Sequence, residues 1–163
     1  MLVGSSPEVL VKRQGSTVSA FPLAGSSPRR ASAAEDHLAG QDLLHSSKDL
    51  HEHAFVVDHL RRALTPLCER LDIPDVPQLI STNEMWHLGT PISGTLKDKD
   101  LTALELALAV HPTPAICGTP AEAAQALIET AETDRGFYAG AVGWCDSSGA
   151  VSYTHLTLPT NRE

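Results

Sequence analysis

Apolar and polar positions along the chain change their period several times, and each change predicts an element. Over residues 8–24, Glu8, Leu10 and Lys12 alternate with Val9, Val11 and Arg13, and Gln14 with Gly15 offers a turn. The run from Thr17 to Leu23 then returns, which predicts a β-hairpin. Residues 25–30 are polar and read as a loop. Residues 32–46 carry a modest helical pattern that turns Leu38, Leu43 and Leu44 inward. The strongest periodicity comes next: Leu50, Ala54, Val57, Leu60, Leu64, Leu67, Cys68 and Leu71 recur at helical spacing. They predict one long helix with a core stripe, kinked or restarted at Pro66. Residues 77–82 and 85–94 read as strands, and residues 101–110, apolar nearly all round, as a buried helix. A second helix is expected over 121–132, a strand over 137–145, with Trp144 in the core, and a turn over 146–149.

Hairpins mixed with helices, without an internal repeat, place the chain in the α+β class. Its 163 residues suffice for one domain with a real core. A net charge of −8, with basic clusters no larger than Arg29-Arg30 and Arg61-Arg62, excludes a phosphate-tracking surface, so no nucleic-acid partner is expected. No stretch approaches the length of a membrane span. Residues 1–10 lack the basic start and long apolar run of a signal peptide. Cys68, Cys117 and Cys145 stand far apart without metal-type spacing, which suits a reducing, cytoplasmic setting.

Two stretches carry candidate chemistry. Pro112 and Pro114 stop the apolar helix at His111, and Thr119, Pro120 and Glu122 have the spacing of a capping box for the next helix. The loop between, held at both ends and built of small residues, offers backbone N–H groups to an anion; it reads equally as a tight connection between packed helices. In "KDLHEHAFVVDHL", Glu52 lies off the main stripe and shares a helix face with Phe55 and Val56. A carboxylate beside an apolar ridge needs a cation, an arginine or a metal, unless it is simply solvated. His51 and His53 are two apart, hence on different helix faces, and do not make a zinc motif. His87 and His111 have no partner evident in the sequence and read as hydrogen-bonded structural residues. No serine sits in a nucleophile elbow.

Taken together, "SPEVLVKRQGSTVSAFPLAGSSPR", "KDLHEHAFVVDHLRRAL", "MWHLGTPISG", "LALAVHPTPAICGTP" and "DRGFYAGAVGWCDSSG" strongly resemble the chorismate-binding enzymes, and among them the isochorismate synthases of catecholate siderophore pathways. The resemblance implies part of an aminodeoxychorismate synthase-like fold, an antiparallel sheet with packed helices, over residues 1–149. It also implies Mg²⁺ as cofactor and chorismate as substrate, in an enzyme family whose members are often monomeric. By the same resemblance Glu8 is the general acid, Glu52 a Mg²⁺ ligand, and Gly25, Ser26 and Ala115 contact the substrate. Tyr138 is a further candidate for the pocket wall.

The family pattern also contains a lysine general base, a second metal-binding glutamate and an arginine for the enolpyruvyl carboxylate, and no position of this chain matches them. The chain is therefore expected to be an internal fragment, catalytically inactive alone and poorly soluble through open sheet edges. Residues 150–163, "AVSYTHLTLPTNRE", depart from the pattern and read as a non-native tail without a strand partner. Trp86-His87-Leu88 and Gly143-Trp144-Cys145-Asp146 favour the siderophore type. Other chorismate-using enzymes remain open: salicylate synthase, the menaquinone-pathway isochorismate synthase, and anthranilate or aminodeoxychorismate synthase. A non-catalytic structural piece is the reading from a different class.

Overall fold

Strand β1 (Val9–Gln14) turns through Gly15, at φ 58°, into β2 (Thr17–Phe21), as the alternation predicts. The structure is a computed structural model and describes residues 8–133, 135–136 and 138–146 and the backbone of 151–155. Beyond Pro22 the chain does not loop; it forms a third strand, β3 (Leu23–Pro28). Polarity alone suggests a loop there, but Ser26 and Ser27 take ladder positions opposite His87 and Trp86. Among the described residues no helix is long and apolar enough to cross a membrane.

Helix α1 (Ala33–His45) starts at Ser32, whose hydroxyl accepts from the Glu35 N–H, and α2 (Ser47–Leu64) starts at Ser46, which accepts from the Asp49 N–H. Leu43 is buried as expected, whereas Leu38 faces solvent. The long helix is shorter than its periodicity. Pro66 lacks an N–H to continue the ladder, so the chain passes through a 3-10 turn (Thr65–Leu67) into β4 (Cys68–Asp72). Cys68 and Leu71 thus match the helical spacing by coincidence and belong to a strand paired with β7 (Ile92–Leu96).

Strands β5 (Gln78–Ser81) and β6 (Met85–Gly89) join β3 in a three-stranded sheet. The larger sheet has six strands in the order β4-β7-β2-β1-β9-β8, where β8 is Ala141–Cys145 and β9 is Val151–His155. All pairings are antiparallel. The stretch expected to lack a strand partner therefore has two, since β9 lies between β1 and β8. Helix α3 (Ala103–Val110) carries a capping box of the kind expected further on: Thr102 and Glu105 bond reciprocally. The expected box at Thr119 and Glu122 does not form, because α5 (Ala121–Ala131) begins after Pro120 without a side-chain cap. Between them, Pro114–Cys117 makes the short helix α4.

Val56, Leu60 and Leu64 of α2 and Leu106 and Val110 of α3 share one core cluster with Leu10, Val11, Val18, Ile92 and Leu96 of the large sheet. Leu64 is fully buried (0% exposed), so Leu64→Ala should cost about 2–5 kcal/mol, read as a lower denaturant midpoint at unchanged slope. The apolar surface of α3 is only half covered, with Leu104 and Leu108 exposed. On β8 (Ala141–Cys145) Trp144 is 61% exposed and not in the core. All five residues of β8 are exposed, so among the described residues neither face of this strand is covered.

Helix α1 lies on the small sheet at a close approach: a Cβ on Gly40 would come within 2.8 Å of Leu79 Cδ2. Arg29 fixes the end of β3 to α1 by pairing with Asp36 (Nη2–Oδ2 2.6 Å) while stacking on Trp86 at 4.4 Å. The guanidinium holds the Asp36 carboxyl far below the usual carboxylate range, aided by the Arg30 N–H and the Trp86 indole.

Candidate active site

A cavity of about 420 Å³ opens where β3, the start of α2 and α4 meet the residue before β1. Glu8, Gly25, Ser26, Glu52 and Ala115 all line it, together with Phe55, Val56, Pro114, Gly118 and Thr119. The five residues named from the sequence thus share one wall system, although they come from four separate stretches of chain.

Glu8 stands at the floor. It precedes β1, the strand running through the core, and is only 6% exposed. Burial penalises its ionised form and raises its pKa from 4.5 to about 7, opposed by a hydrogen bond from the Leu23 backbone N–H. The carboxyl therefore holds a proton near neutrality. Glu52, by contrast, is exposed at the mouth, on the same α2 face as Phe55 and Val56. That shared face is the one its spacing predicts.

Gly25 sits at φ 83°, where the register of β3 against β6 shifts between Leu23 and Ser26. A Cβ there would stand 3.2 Å from both Asp49 Cβ and Leu88 Cδ1, so the glycine serves a left-handed backbone and a close helix approach at once. Beside it Ser26 Oγ lies 2.7 Å from His87 Nδ1. Burial depresses the His87 pKa, keeping the ring neutral. No partner for His87 is evident in the sequence because that partner lies opposite on another strand, a relation that only the β3–β6 register creates.

His53 follows Glu52 but points the other way, into the core. Its Nδ1 is 3.0 Å from the Ala24 carbonyl and its Nε2 2.7 Å from Thr90 Oγ1. His51 instead packs edge-on against Phe55 at 4.6 Å, so the two histidines diverge as their spacing requires. The expected anion loop is differently built. The Ile116, Cys117 and Gly118 N–H groups donate to the Thr113 and Pro114 carbonyls within α4, which withdraws them from any ligand. Tyr138 does not line the cavity; its ring lies under the Arg135 guanidinium at 5.4 Å.

Among the described residues no group of three or more histidine, cysteine, aspartate or glutamate side chains forms a ligand set. Mg²⁺ commonly takes one or two carboxylates and fills its octahedron with water and substrate oxygens. Glu52, ionisable and open to the cavity, is a donor of that kind. No lysine, arginine or histidine lines the cavity among the described residues, so its charge is acidic or neutral.

Residues 1–153 match the family described as chorismate binding enzyme, and the chain belongs to it. Its relatives are more particular. It is 52% identical over 149 residues to the isochorismate synthase DhbC of Bacillus subtilis, covering 91% of this chain and 37% of that one. It is 55% identical over 148 residues to the putative isochorismate synthase MenF of Mycobacterium tuberculosis, covering 91% and 40%. The crystal structure of a putative 2,3-dihydroxybenzoate-specific isochorismate synthase, DhbC from Bacillus anthracis, superposes with a TM-score of 0.89 at 47% identity, over 93% of this chain and 41% of that one. The chain spans about two fifths of the length of these proteins.

Proposed function

We propose that this chain forms one side of the active site of a cytoplasmic isochorismate synthase, which interconverts chorismate and isochorismate with Mg²⁺ on a route to a 2,3-dihydroxybenzoate siderophore. The observation that carries the reading is the convergence of Glu8, Gly25, Ser26, Glu52 and Ala115 on one cavity. Similarity to isochorismate synthases, one of them described as 2,3-dihydroxybenzoate-specific, supports the product. The free thiols of Cys68, Cys117 and Cys145 fit a reducing compartment.

In this reaction a water adds at one ring carbon while the hydroxyl on another departs as water. Glu8, protonated near pH 7, supplies the proton that the departing hydroxyl needs. Chorismate brings two carboxylates to a cavity whose described walls hold acidic and neutral groups alone, so its binding requires a cation. Mg²⁺, bound, neutralises the ring carboxylate and fixes the ring in place. Glu52 would hold that ion from the protein side, Gly25 and Ser26 would approach the substrate through strand backbone and hydroxyl, and Ala115 closes the wall without steric bulk. Nothing along the described wall can serve as a base for the incoming water while Glu52 is engaged with the ion. The 163-residue polypeptide is therefore expected to show no turnover by itself.

The test is a hybrid in which the matched 149 residues of this chain replace the corresponding stretch of the B. subtilis isochorismate synthase. Conversion of chorismate to isochorismate, dependent on Mg²⁺, is expected. A hybrid that melts cooperatively like its host yet converts no chorismate would overturn the reading.

A further inference from the structure

We propose that His53 is a positioning residue: it tethers the turn of α2 that carries Glu52 to the strand that carries Gly25 and Ser26. The inference rests on the function proposed above but concerns a residue outside the cavity wall.

The imidazole is 3% exposed and both of its nitrogens are engaged. A carbonyl only accepts, so Nδ1 carries the hydrogen and donates to Ala24 at 3.0 Å. Nε2 then accepts from the Thr90 hydroxyl at 2.7 Å, which selects that tautomer. The neighbouring buried positions of this helix are Val56, Val57, Leu60 and Leu64, and an apolar side chain would fill the same space. What the ring adds is direction.

That direction matters at this point of the fold. The ladder between β3 and β6 shifts register between Leu23 and Ser26, so strand pairing does not hold the Ala24–Gly25 backbone. The segment is held instead from α2, by His53 on the Ala24 carbonyl and by the close packing of Asp49 on Gly25. Glu52 is the adjacent residue on the helix, about 100° round from His53, and faces the cavity. Of these two contacts, the His53 hydrogen bond is the directional one between the turn whose carboxylate would hold the cation and the strand that would meet the substrate. Loss of the tether leaves both in place but lets them shift relative to each other.

Two near-isosteric variants separate this role from simple core packing. His53→Asn places an amide donor where Nδ1 stands and keeps the Ala24 bond. His53→Gln reaches Thr90 and abandons Ala24. Both are made in the hybrid enzyme, and three quantities are read: Tm, chorismate KM and kcat, and affinity for Mn²⁺ without substrate, from the loss of the free-ion EPR signal. Mn²⁺ shares the oxygen preference of Mg²⁺. His53→Asn should keep Mn²⁺ affinity and KM close to those of the parent. His53→Gln should weaken Mn²⁺ binding and raise KM by about tenfold or more, the scale typical of groups that orient metal ligands. Comparable Tm values for the two variants would accompany that result. Equal Mn²⁺ affinity in both variants, whatever their Tm, would overturn the proposal. The Mn²⁺ titration needs no turnover, so a parent hybrid that binds Mn²⁺ but leaves chorismate unchanged would refute the proposed reaction and not the tether.

Discussion

Glu8→Gln in the hybrid enzyme should lower kcat by about a hundred- to ten-thousand-fold while making the protein more stable above pH 7. The two effects share one cause. Glu8 is buried, and its pKa rises from 4.5 to about 7 because the site penalises the ionised form. Between those values the folded protein binds more protons than the unfolded chain, so stability is full below pH 4.5 and falls as pH rises through 7. Glutamine cannot ionise and escapes that loss. The gain at pH 8 is at most about 3 kcal/mol, from a shift of about 2.5 pKa units, and it vanishes below pH 5. Thermal melts of parent and variant from pH 4.5 to 8.5 should therefore nearly coincide at pH 4.5, diverge progressively up to about pH 7 and keep a constant separation above it. Melts that stay parallel across this range, or a variant that retains parental turnover, would show that Glu8 is not the buried proton donor.

Glu52→Gln is expected to act in the opposite manner. The side chain is exposed, so its replacement should leave Tm nearly unchanged. As an exposed carboxyl donor on the cavity wall it should instead control the cation. The Mg²⁺ concentration for half-maximal turnover should rise by about ten- to a hundredfold, with partial recovery at high Mg²⁺. An unchanged Mg²⁺ dependence would remove Glu52 from the metal-binding role. The pair of variants thus separates a buried group, whose removal costs chemistry and improves stability, from an exposed one, whose removal alters metal affinity and leaves the fold alone.

Much of the fold is legible locally because its causes are local. Alternation and Gly15 specify the first hairpin, Ser32 caps α1, and Pro112 with Pro114 ends α3 at His111. Expectation and structure part where pairing outside the window decides the outcome. Residues 25–28 are polar enough for a loop, yet β6 offers them a ladder. Cys68 and Leu71 keep a helical period, yet Pro66 ends the helix and β7 takes residues 68–72 as a strand. Trp144 suits a core because aromatic residues usually find cover, but among the described residues nothing covers either face of its strand.

The candidate residues have a different history. Local spacing indicates only that Glu52, Phe55 and Val56 share a face; resemblance to a family supplies roles for Glu8, Gly25, Ser26 and Ala115. Their meeting in one cavity requires β3, α2 and α4 to pack together. His53 gains Ala24 and Thr90 because α2 packs on the small sheet, and His87 gains Ser26 through the β3–β6 register. By itself the amino-acid sequence determined the first hairpin turn and the end of α3 at His111, since these depend on backbone sterics and side chains a few residues apart. Tertiary structure alone decided which carboxyl is desolvated, which histidine is a tether and which faces stay bare, because burial and long-range hydrogen bonds are properties of neighbours that the chain brings together only when folded.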